Sequence, residues 1–180
     1  MSENLFETLP PTLKSVNTRP LFVLRLQVKK PMDVGSTPAG QRRVAVIAGG
    51  VFNGERLSGR VQEGGSDWLL GRSDGATTLN VRLTLETTEG DLIGVTYQGL
   101  RCGPPEVMEK LHKGETVDPA SYYFRITPLF ETASSKYGWL NRLWLLGLGI
   151  VLPMDRFIAS SRFCEADMKA KVPVIVQFSR

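Results

Sequence analysis

One feature constrains this chain more than any other: a two-residue alternation that runs through a pair of glycine-tipped turns. In TLNVRLTLETTEGDLIGVTYQ (78–98), Leu79, Val81, Leu83 and Leu85, then Ile93, Val95 and Tyr97, are apolar, and most positions between them are polar. Successive side chains of a strand leave opposite faces, so this pattern is that of half-buried strands. Thr88-Glu89-Gly90 suits a three-residue hairpin loop with its glycine left-handed. That loop opposes Val81 to Tyr97, Leu83 to Val95 and Leu85 to Ile93. Upstream, Asp74–Gly75 reads as a two-residue loop, in which both central residues take positive φ. It opposes Trp68 to Val81, Leu70 to Leu79 and Asp67 to Arg82. Each turn, taken alone, sets apolar against apolar, and a one-residue slip would mix the faces. The expectation is a meander with an apolar face from Trp68 to Tyr97 and a polar face of Asp67, Asn80, Arg82, Thr96 and Gln98.

The rest of the chain reads the same way. Phe22, Leu24, Leu26 and Val28 alternate with Arg25, Gln27 and Lys29 in a strand closed by Pro31. Residues 35–41 read as a loop. RRVAVIAGGVFNGE (42–55) is a strand interrupted by Gly49–Gly50, a pair that marks a bulge, a bend or a close approach. A short strand follows at 56–62. PPEVMEKLHKG (104–114) is the one helix, with Pro105 in its first turn and Gly114 as its stop. DPASYYFRITPLF (118–130) is a strand, 131–141 a loop, and 142–153 with 156–166 a hairpin turning about Pro153–Asp155. About nine strands without strand–helix alternation predict an all-β fold, a single antiparallel β-barrel in preference to a sandwich, because closure removes sticky edges. The expected organisation is a flexible N-terminal arm over 1–18, a barrel domain over 19–165, and an extension over 166–180 that adds a strand or packs on another subunit.

Composition excludes several functions. With 42% hydrophobic and 22% charged residues, this is an ordinary globular chain. A net charge of +4 without a basic, aromatic-studded stripe argues against nucleic acid as a partner. A single histidine and two distant cysteines, Cys102 and Cys164, offer no metal-ligand spacing and no disulfide framework. GLGIVL (147–152) lacks the third glycine of a dinucleotide fingerprint. The first twenty residues carry acids and no apolar run, and LWLLGLGIVLP (143–153) is short of a bilayer span. The reading is a cytoplasmic protein with no cofactor, no metal and no membrane partner, whose apolar 144–151 strand and tail suggest a homo-oligomer.

VGSTPAGQRRV, GGVFNGERLSGRV, GGSDWLLGRSDG, LNVRLTLETTEGDLI, YYFRITPLFET and KYGWLN, in that order, resemble the family known as domain of unknown function 3237, from about Pro20 to about Glu165. The resemblance implies a small, closed, calycin-like barrel, often oligomeric, and says little of function. Where many relatives carry aspartate and tyrosine, this chain has Asn80 and Leu83.

No nucleophile motif is present, which leaves acids, arginines and aromatic side chains. If the polar face lines the lumen, Arg82, held by Asp67, can clamp a carboxylate or enolate oxygen; the alternative is a solvated cross-strand ion pair. Glu131, at a strand end where partial desolvation would raise its pKa, is the candidate base. Tyr137 is a candidate proton donor, Asn141 an oxyanion holder and Trp139 a ring wall, unless all three belong to an ordinary surface loop. Arg125 is a second anion clamp or an exterior arginine. Trp68 and Tyr97 are candidate binding residues, and Tyr97 on the apolar face can equally be core. The reaction these groups suit is cofactor-independent proton transfer beside a carbonyl or phenol, of the isomerase, cyclase or lyase kind. The alternative is a carrier or sensor that holds a small hydrophobic ligand unchanged.

Overall fold

The structure is a computed structural model. It describes residues 4–14, 18–151 and 156–163, with the backbone alone for Thr12 and 156–163. The elements are α1 (Leu5–Thr8), β1 (Thr18–Val28), β2 (Met32–Thr37), β3 (Gly40–Asn53), β4 (Ser58–Val61), β5 (Ser66–Gly71), β6 (Thr77–Thr87), β7 (Leu92–Cys102), α2 (Pro105–Lys113), β8 (Tyr123–Glu131), β9 (Leu145–Val151) and β10 (Arg156–Phe163). Three 3-10 turns lie at Pro11–Leu13, Pro119–Ser121 and Gly138–Arg142. The fold is thus mostly antiparallel sheet with one short helix, α2; α1 is a single four-residue turn at the place expected to be an arm. The extension over 166–180 and the turn at Pro153–Asp155 lie outside the described residues.

Neighbouring strands run β1-β10-β9-β8-β7-β6-β4-β3-β2, and β5 pairs with β3 and β6. β1 also pairs with β3, from Val23↔Asn53 to Val28↔Ile47, so the pairings return on themselves. Inside lie Leu24, Leu26, Ile47, Phe52, Leu69, Val81, Leu85, Ile93, Phe124 and Ile126, each no more than 2% exposed. At the end where β3 and β8 finish, Phe22 packs on Phe52 and Phe130 at 5.6 and 5.9 Å between ring centres. At the other end, where β7 hands over to β8, α2 lays Met108 and Leu111 on the core.

Two expectations about strands need correction. Residues 32–37 form β2, hairpinned to β3 through Pro38–Ala39, with Thr37 opposite Gly40. The loop reading over 35–41 failed because Gly35, at φ 100°, sits at a register shift within this strand pair and does not end it. The β6–β7 register is the expected one, pair for pair from Asn80↔Gln98 to Leu85↔Ile93. The β5–β6 register is not. Ser66 opposes Arg82, Asp67 opposes Val81 and Leu70 opposes Thr78.

The loop at the β5–β6 turn has three residues, since the Arg72 amide donates to the Ala76 carbonyl at 2.8 Å and the Gly75 amide to Arg72 at 3.2 Å. Only Gly75 takes positive φ, 81°, and the Asp74 carboxylate accepts from the Ala76 amide at 3.1 Å. Asp-Gly here serves a turn with one left-handed residue, where a two-residue loop needs two. The one-residue difference reverses β5. Asp67 and Leu69 point inward, and Trp68, half exposed at 50%, points out.

Candidate functional site

The inner wall is fixed by strand parity. On β7 the inward positions are Ile93, Val95, Tyr97, Gly99 and Arg101; on β6 they run from Thr77 through Leu79 and Val81 to Leu85. Asp67, Val81 and Tyr97 therefore make one cross-strand row, and Thr77, Arg101 and Phe124 another. Strands lie about 4.8 Å apart, so the Cα atoms of Asp67 and Tyr97 stand roughly 10 Å apart with both side chains directed inward. Exposure is 2% for Asp67 and Thr77, and 4% for Tyr97 and Arg101, within a wall otherwise mostly aliphatic and aromatic.

A carboxylate costs several kcal/mol to take out of water, even when it finds partners. At this parity the neighbouring β5 residue is Leu69, and an apolar side chain at 67 would complete the wall at no such cost. An acid at this position is the exception on an otherwise apolar stretch of wall, which makes it a candidate for function.

Arg101 reaches over the Phe124 ring at 5.7 Å. Beside it is Tyr122, 7% exposed, whose hydroxyl oxygen accepts from the Val151 amide at 2.9 Å. Burial pushes the Tyr122 pKa above its ordinary value; the Val151 hydrogen bond and the Arg101 charge pull against that, and Asp118 adds to it. Among the described residues no three His, Cys, Asp or Glu side chains gather where they could hold a metal.

The residues expected to carry the chemistry are not brought together on the inner wall, although Arg82 and Glu131 share a hollow on the outer face. Arg82 opposes Ser66 and Thr96 on the outer face and is exposed, because it has the parity opposite to Val81 and Leu83. Glu131 is exposed on the same outer surface, and with Arg82, Thr84, Thr96 and Leu129 it lines an open hollow of about 610 Å³. Arg125 also faces out, over the Tyr123 ring at 4.8 Å, with its Nη1 donating to the Phe124 carbonyl. Trp68 stands outside, its indole N–H donating to Ser66 at 3.2 Å.

Asn141 works as a clamp on backbone: its side chain accepts from the Thr132 amide and donates to the Thr132 carbonyl, both at 2.9 Å. Trp139 is covered by the Arg56 guanidinium at 3.8 Å from its ring centre. Tyr137 is buried, at 3% exposure, in the core near Leu140. Of the nine residues, Asp67 and Tyr97 share the inner wall.

Arg101, Thr77 and Tyr122 were not singled out from sequence. The signal for Arg101 was present, since Ile93, Val95, Tyr97, Gly99 and Arg101 continue one alternation, and a cation of inward parity is the exception worth noticing. The signal for Tyr122 was also present, since Tyr122, Phe124 and Ile126 continue one alternation on β8, and all three are buried.

Residues 16–165 match the family model described as protein of unknown function, DUF3237. A UPF0311 protein of Clostridium acetobutylicum is 36% identical over 129 residues, 71% of this chain and 82% of that protein. Among solved structures, a protein of Acinetobacter baumannii described as beta-barrel like superposes with a TM-score of 0.74 at 34% identity, over 87% of this chain and 99% of that one. A protein of Penicillium herquei described as an enzyme shares the fold alone, with a TM-score of 0.61 at 21% identity over 83% and 95% of the two chains.

Proposed function

The chain belongs to the DUF3237 family of proteins of unknown function, and we propose that it binds a small carbonyl or phenolic compound inside its strands and moves a proton on it. The observation that carries this reading is the row Asp67–Val81–Tyr97, an acid and a phenol flanking an aliphatic residue on the inner wall. An aliphatic enclosure holds the carbon skeleton of such a ligand, and the two polar side chains fix one edge of it.

In this reading the Asp67 carboxylate takes the proton from the carbon beside the carbonyl. The electrons of that C–H bond form the C=C bond of an enol, while the Tyr97 hydroxyl donates its proton to the carbonyl oxygen. Return of a proton to another carbon completes an isomerisation, and loss of a β-substituent a lyase reaction. Arg82 and Glu131, on the outer face, are not used in this reading.

The test does not require the natural substrate. Ketones and phenols that raise the melting temperature are incubated with the protein in deuterated water, and α-deuterium incorporation is followed by NMR. Incorporation is expected with the wild type and is lost at least a hundredfold in Asp67→Asn and in Tyr97→Phe. A ligand that binds tightly and gains no deuterium supports the carrier reading instead.

A further inference from the structure

We propose that Arg101 is the anion-binding end of the interior site, and that the compound it takes carries a carboxylate at the end opposite its reacting oxygen. This rests on the reading of Asp67 and Tyr97 as the reacting end. Arg101 follows Tyr97 by four residues on β7 and shares its inward parity, so the two side chains leave the wall about 13 Å apart along one strand. That spacing suits an elongated, rigid molecule, with one polar group for each station and an apolar body against Val81, Leu79 and Ile126 between them.

The second station offers a guanidinium, a cation with donors and no acceptor. Its planar fork matches a carboxylate through two parallel hydrogen bonds, a geometry that lysine does not offer. The same row adds the Thr77 hydroxyl and the Phe124 ring, and Tyr122 brings a phenol close by. On the outside an arginine meets its carboxylate in the way proposed: Arg60 donates to Glu86 from Nε to Oε2 at 3.1 Å and from Nη2 to Oε1 at 3.0 Å.

The interior is closed at both ends by apolar side chains. The end away from Arg101 is filled by Phe22, Phe52 and Phe130. The Arg101 end is covered by α2, whose buried side chains are Met108 and Leu111.

The probes are 4-hydroxycinnamate, its primary amide and cinnamate, each titrated calorimetrically into the full chain. Wild type is expected to bind 4-hydroxycinnamate at least tenfold more tightly than the amide. Arg101→Met should abolish that preference, and Arg101→Lys should keep only part of it. Equal affinity for acid and amide in the wild type, a preference that survives in Arg101→Met, or no binding of any probe at millimolar concentration overturns the proposal. The acid-to-amide contrast needs no variant, so it stands even where Arg101→Met fails to fold.

Cinnamate reports the other end separately. If it binds as well as 4-hydroxycinnamate while the acid preference tracks Arg101, the Asp67–Tyr97 reading fails and the anion site stands. A hydroxyl preference that is lost in Asp67→Asn, with acid and amide bound equally, overturns the anion site and leaves Asp67 and Tyr97 in place.

Discussion

Single side chains in this molecule tie distant strands together, and Tyr122 is the clearest case. Its hydroxyl oxygen takes the Val151 amide, linking the start of β8 to the end of β9. Burial raises its pKa above the ordinary phenolic value near 10. A raised acid pKa means the folded state holds its proton longer than the unfolded one does. The stabilisation is complete below the unfolded pKa and is lost as pH climbs through the folded one. Stability should therefore fall above about pH 10, and Tyr122→Phe should flatten that fall. Urea midpoints between pH 8 and pH 11 measure it, and an unchanged slope in the variant would exclude Tyr122 as the source.

Gly50 is a second such position: it has φ 149°, and a Cβ there would lie 2.1 Å from the Arg25 carbonyl oxygen. The obstacle is backbone of the adjoining strand, which cannot step aside without parting β1 from β3. Gly50→Ala should cost about 1–3 kcal/mol, read from the same urea titrations.

At the scale of elements, the Gly138–Arg142 turn is pinned through Asn141, which satisfies both backbone groups of Thr132. Asn141→Asp keeps the acceptor and loses the donor, leaving the Thr132 carbonyl without its side-chain partner. A loss of about 1–2 kcal/mol is expected, with deuterium incorporation per folded molecule unchanged, since the proposed reaction does not use Asn141. Reduced incorporation at full folding would return Asn141 to the site.

This element also shows how far the residues could be read in advance. The β6–β7 ladder was legible to the pair, because Gly90 and eleven-residue strands of strict alternation agree on one register. β5 was not: it has six residues, and its two turn readings differ by one position in where Asp67 and Trp68 point. Pairing apolar with apolar favoured the wrong one. The chain gives up that match, exposing Trp68 and burying Asp67, so the rule failed at the residue that the site reading depends on. The places of Asn141 and Tyr137 were hidden for another reason. A loop rich in functional groups looks the same in sequence whether it serves backbone or substrate.

Seen whole, the molecule is a circuit of strands whose pairings are unequal. β6 and β7 share ten register pairs, and β7 and β8 share nine. Between β8 and β9 the register holds only Arg125↔Leu148 and Ile126↔Gly147. β9 is held chiefly from its other side, by six pairs with β10, and at its end by the Tyr122 hydroxyl. A ladder with fewer bonds opens at lower free energy than the whole fold, so local opening should begin at this seam. The seam lies beside Ile126 and Phe124, next to the row that holds Arg101, and opening there would widen the interior at the end covered by α2. Native-state hydrogen exchange should find the β9 amides on the β8 side exchanging at least tenfold faster than those of β6 and β7, and a bound interior ligand should slow them selectively. Protection at the seam equal to that of β6–β7 would mean that the circuit opens as one unit, and a ligand would then have to enter past α2 alone.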